Sequence, residues 1–124
     1  MKIIFYIIFP IIFLTVLCGR PEVSETAEPT FEIIGVCALP GYSQDIDIKG
    51  DFAYVADDQG GLQIIDITSS ENPRVVGEYE SEKSIVGVAV RDTFAYLAVY
   101  HNQGGIRVIN IAEPENPFFV GEDN

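Results

Sequence analysis

The chain has 124 residues, enough for one small domain once any targeting segment is set aside. Nineteen acidic and seven basic side chains give a formal net charge of −12. That field repels phosphate backbones and anionic head groups, so nucleic acid is not expected as a partner. Cys18 and Cys37 belong to no CxxC or Cys/His cluster, His101 is the one histidine, and there is no tryptophan, so neither a zinc site nor a disulfide framework is expected.

The first element in chain order is a leader, residues 1–18. Lys2 is followed by an apolar run of fifteen residues, Ile3 to Leu17. At about 1.5 Å per residue this run is short for a hydrocarbon layer of roughly 30 Å. Pro10 also argues against a permanent spanning helix. The pattern reads as a secretory signal peptide. With Cys18 directly after the run, it resembles a bacterial lipoprotein signal, which implies Cys18 as the lipid-attachment residue. Leu17 stands where that signal has a small residue. An ordinary signal peptide, or an uncleaved anchor with an incidental cysteine, is the alternative. The expected address is extracytoplasmic: a membrane-anchored lipoprotein, alternatively a secreted protein.

Residues 19–30, "GRPEVSETAEPT", are poor in large apolar side chains. They cannot bury enough surface to offset their ordering entropy and read as a flexible tether.

Residues 31–124 repeat themselves. At an offset of 42, Ile34-Gly35 falls on Val76-Gly77, Ile46 on Val88, Ile48 on Val90, and Phe52-Ala53-Tyr54 on Phe94-Ala95-Tyr96. After two inserted residues the offset becomes 44: Gly60-Gly61 falls on Gly104-Gly105, Asn72-Pro73 on Asn116-Pro117, and Val76-Gly77-Glu78 on Val120-Gly121-Glu122. A period of this size marks a repeat architecture. Each unit, about 43–79 and 85–122, reads as four short strands rich in β-branched and aromatic residues. In the first they are "SQDIDIK", "DFAYVAD", "LQIIDIT" and "RVVGEYE". Gly60-Gly61 supplies the hairpin between the second and third.

The strands are apolar on both faces. Phe52, Tyr54 and Ala56 share one face and Ala53 and Val55 the other; Leu62 and Ile64 oppose Ile65 and Ile67. Small sheets pressed between neighbours on both sides need this pattern, and a β-propeller provides it. "GGLQIIDITSSENP" and "GGIRVINIAEPENP" resemble the LVIVD repeat family, in which a Gly pair precedes a Leu/Ile-x-Val/Ile-Ile/Val-Asp strand and a turn ending in Asn-Pro. Asn110 stands at the position of Asp66 and Val99 at that of Asp57. The resemblance implies a propeller and supplies no catalytic residues.

The expectation is therefore all-β: a partial β-propeller of two four-stranded blades plus one extra N-terminal strand, Phe31 to Leu39, which matches the fourth strand of a unit. Closed propellers have roughly four to eight blades. Either further blades follow downstream or chains self-associate.

No catalytic or metal constellation stands out, and no cofactor is expected. Asp57-Asp58 beside the Gly pair reads as turn chemistry. Asp45 and Asp47 on the innermost strand have Gly87 and Ala89 at the equivalent positions, so no carboxylate ring forms, and they read as solvated charges. Cys37 reads as a small buried hydrophobe. The candidate contact residues are Asp57, Asp58 and Gln59 in one hairpin loop and Tyr100, His101 and Asn102 in the other. The functional expectation is a non-enzymatic scaffold binding a protein or glycan. The alternatives are the N-terminal part of a larger propeller hydrolase, or a structural spacer of a surface protein.

Overall fold

A computed structural model describes residues 31–123. The leader, the tether and Cys18 lie outside the described residues. No helix among those described is long and apolar enough to cross a membrane.

The described chain is all-β. Strands β1 (Asp45–Lys49), β2 (Phe52–Ala56), β3 (Leu62–Asp66) and β4 (Arg74–Tyr79) form one antiparallel sheet in that order. Strands β5 (Ser84–Arg91), β6 (Phe94–Tyr100), β7 (Ile106–Asn110) and β8 (Phe118–Asp123) form a second with the same order. These are two blades of a partial propeller, each a four-stranded meander.

The repeat extends to irregularities. In the first sheet the register shifts between Ile64 and Ile65, leaving Val76 as the bulged residue; in the second it shifts between Val108 and Ile109, leaving Val120. The first hairpin of each sheet turns on a left-handed residue at the same place, Gly50 (φ 59°) and Asp92 (φ 53°).

The core lies between the sheets. Tyr54, Ala56, Leu62 and Ile64 from the first meet Ile85, Val88, Ala95, Leu97, Val99 and Ile109 from the second, all buried. Burial also pushes the Tyr54 phenol above its ordinary pKa. The first sheet's other face carries a smaller cluster, Ala53, Val55 and Ile65, against which Cys37, Leu39 and Ile67 pack. Both faces of the first blade thus carry buried side chains at β2 and β3, as its two-sided apolar pattern requires.

The extra N-terminal strand is corrected. Phe31 to Leu39 joins neither sheet. A fourth strand pairs with the free edge of a third, and the edges of β3 and β7 are already taken by β4 and β8. The segment nevertheless lies where the repeat places it. A Cβ on Gly35 would stand 2.1 Å from the Ser70 carbonyl oxygen, and one on Gly77 would stand 1.9 Å from that of Pro114. Gly35 and Gly77 are repeat equivalents, as are Ser70 and Pro114. The N-terminal segment therefore approaches the first blade as β4 approaches the second.

Candidate functional site

Among the described residues, the sequence-predicted polar groups fall in the loops at one end of the blades, the turns at the other, and the inner strands.

At the first end, residues 57–61 and 101–105 link β2 to β3 and β6 to β7. Ile85 ties the first loop to the end of β6, the strand that leads into the second loop. It exchanges both backbone hydrogen bonds with Asp58, at 3.0 Å each, and pairs with Val99 across β5–β6. The sequence-predicted residues diverge here. Gln59, Tyr100, His101 and Asn102 are exposed, and Asp58 is half-buried. His101, Asn102 and Gln103 line a shallow open groove with Lys83.

Asp57 is corrected as a contact residue, because it is fully buried (0% exposed). Its Oδ2 accepts the Gly41 N–H at 2.7 Å and its Oδ1 accepts the Ser43 hydroxyl at 3.1 Å. It pins the chain entering β1 onto the hairpin. Gly60 is required sterically, since a Cβ there would meet the Asp57 carboxylate at 2.3 Å; the left-handed residues of this turn are Asp58 (φ 50°) and Gly61 (φ 73°).

At the opposite end the β3–β4 and β7–β8 turns are built alike. Asp66 Oδ1 accepts the Thr68 N–H, and Asn110 Oδ1 accepts the Ala112 N–H, each at 2.9 Å. The turn bond survives the exchange of Asp66 for Asn110, because it uses one oxygen that both side chains own; the other Asp66 oxygen faces the Arg74 guanidinium at 3.5 Å. Hydrogen bonds from Thr68, with the Arg74 guanidinium in a lesser part, hold the Asp66 carboxyl below its ordinary value. An open groove between the sheets is lined here by Phe52, Asp66, Arg74, Val76 and residues 112–116.

The inner strands hold what the sequence reading missed. Strand β5 is an edge, and its Val88 and Val90 N–H groups point away from β6. Asp45 Oδ2 accepts the Val88 N–H at 3.0 Å, and Asp47 Oδ2 accepts the Val90 N–H at 2.6 Å. The other oxygens accept from their own strand: Asp45 Oδ1 from Ile46 N–H and Asp47 Oδ1 from Ile48 N–H, each at 2.9 Å. Ile46 and Val88 are repeat equivalents, as are Ile48 and Val90. Each carboxylate thus clips the same backbone donor of two neighbouring blades, and supplies an edge with the acceptors a further strand would bring. Asp45 and Asp47 are joints and not free solvated charges. The Lys49 ammonium adds a bond to the Asp92 carbonyl across the same seam.

Among the described residues, no group of three His, Cys, Asp or Glu side chains is placed to hold a metal ion. The LVIVD repeat family model matches residues 40–81. The match spans β1 to β4, the whole first sheet. The second sheet, outside the match, repeats its strand order, its third-to-fourth-strand bulge and the turn that precedes it. No curated protein and no solved structure matches the chain.

Proposed function

We propose that this chain is a non-enzymatic, extracytoplasmic repeat protein, held at a membrane through its N-terminal leader, whose LVIVD-like blades bind a protein or glycan. The observation that carries the reading is the tie that Ile85 makes between the first hairpin loop and the end of β6, which leads into the second. It sets exposed Gln59, Tyr100, His101 and Asn102 at one end of the blades, at the tips of paired strands. An aromatic and amide-bearing loop surface at the end of a paired sheet suits recognition, because Tyr offers area at low entropic cost and amides adapt their hydrogen bonds. The leader, ending in Cys18, supports the anchored address.

The test replaces Gln59 by Gly and residues 100–103 by a minimal turn, keeping Asp57 and the Gly pairs. Binding is read on a glycan array and against envelope extract of the source cells, with thermal unfolding as the control for fold. Loss of binding with an unchanged unfolding midpoint supports the reading; undiminished binding refutes it. For the address, Cys18→Ser should release the chain from the membrane fraction. Retention there would refute lipid attachment.

A further inference from the structure

The two blades are equivalent in sequence and unequal in cover. Tyr54 is 3% exposed and its equivalent Tyr96 is 40%; Leu62 is 0% exposed and its equivalent Ile106 is 53%. The flank that the first blade buries against the second is, on the second blade, open. The complementary flank of the first blade is also incompletely filled. Ile46 and Ile48 stay 56% and 59% exposed, while Val88, the equivalent of Ile46, is 8% exposed in the existing joint.

Gly121 says what belongs on the open flank. Gly35, Gly77 and Gly121 are equivalent. At the first two, a Cβ would collide with the carbonyl oxygen of a β3–β4-type turn, Ser70 or Pro114; at Gly121 a Cβ would meet nothing within 4 Å. The sequence keeps a glycine where no carbonyl among the described residues approaches it. By analogy with the first two, the turn of another blade of the same kind fits this place.

We propose that the open flank of the second blade docks on the first blade of a second copy of this chain, continuing the existing blade-to-blade interface, with Gly121 seated against the neighbour's Ser70 carbonyl in place of the neighbour's Gly35. The segment that must yield, Phe31 to Leu39, is lightly held. It joins no sheet, and Phe31, Ile33 and Val36 are 97%, 82% and 78% exposed. Strand β8 is its sequence equivalent and arrives already paired to β7. The contact is head-to-tail, and it forms a ring where the rotation from blade to blade brings the last copy back to the first. Three copies would contribute six blades, inside the range of roughly four to eight that closes. Because Gly87 and Ala89 replace the clipping aspartates on the second blade, this joint lacks the carboxylate bonds of the internal one. The inference does not depend on the loop-binding reading, since it uses the flanks and not the hairpin loops.

The full chain in mild detergent tests it, by sedimentation against concentration and by cross-linking. In a Cys18→Ser, Cys37→Ala background, Ser70→Cys with Gly121→Cys should give oxidised dimers and trimers, and neither single cysteine alone should give the trimer. Gly121→Val meets open space in the isolated chain, so unfolding should be unchanged while self-association weakens on the order of tenfold or more. A chain that stays monomeric, or one whose association ignores Gly121→Val, overturns the proposal. If Gly121→Val fails to fold, the cross-link decides: without the Ser70–Gly121 bond between copies, the flank belongs to some other blade.

Discussion

The two-pronged role of Asp47 gives a sharp prediction. Both of its oxygens accept backbone N–H groups, from Val90 at 2.6 Å and Ile48 at 2.9 Å. Asparagine cannot imitate this. Its amide supplies one acceptor and one donor, and the donor would face an N–H head-on. Asp66 differs, because a single oxygen serves its turn and Asn110 already performs the same task in the second blade. Hydrogen bonds to a charged group contribute about 1.5–3 kcal/mol each, and the clip lies at a partly exposed seam where water replaces some of the loss. Asp47→Asn should therefore cost about 1–3 kcal/mol, and Asp66→Asn clearly less. Urea unfolding measures both. Amide hydrogen exchange locates the effect: in Asp47→Asn, Val90 and Ile48 should lose protection while Ala95 and Ile109 in the core keep theirs. Equal costs for the two substitutions, or unchanged exchange at Val90, would refute the clip.

Three further outcomes follow from the same geometry. Leu62→Ala empties a fully buried site and should cost about 2–5 kcal/mol, whereas Ile106→Ala at the equivalent open position should cost under about 1 kcal/mol in the monomeric chain; equal values would mean the second flank is not open. Gly77→Ala places a Cβ 1.9 Å from the Pro114 carbonyl oxygen and should lower the unfolding midpoint far more than Gly121→Ala; matching midpoints would remove the close approach. Asp66 has a folded-state pKa below its ordinary value of 3.8, so its stabilisation is present above that value and fades as pH falls through the lower, folded one. Acid titration of stability below about pH 4 should be shallower in Asp66→Asn, and an identical slope would assign the acid sensitivity to other carboxylates.

Much of this fold is legible in the residues because it is repetitive and local. The β-branched strands, the Gly and Asn-Pro turns and the two-sided apolar pattern each act within a few residues, and the second copy checks the first. The two faces of "FAYVA" bury where alternation puts them, Tyr54 and Ala56 towards the second blade and Ala53 and Val55 away from it. What stays hidden is long-range and unequal between copies. Asp57 reads as a turn residue because Gly41 and Ser43, its partners, sit 16 and 14 residues upstream in an irregular segment. Asp45 and Asp47 are obscured by the repeat itself: Gly87 and Ala89 stand at the matching places, which suggests dispensability, yet the donors they serve are backbone groups that no alignment displays. One cue was available, the alternation Asp-Ile-Asp-Ile on an innermost strand, which sets two carboxylates on one side of an edge with free donors. For Phe31 to Leu39 the repeat gives the location correctly and cannot give a pairing edge, since both third strands are already taken.

The clips also act as an index. Apolar flanks attract without direction, so two blades pressed together could slide along each other at little energetic cost. Two carboxylates spaced two residues apart allow no such freedom. A one-residue slip presents carbonyls to the oxygens, and a two-residue slip leaves one carboxylate facing nothing. The pair therefore fixes the translation between neighbouring blades as teeth fix a gear, and leaves the greasy surfaces free to change side chains without losing alignment.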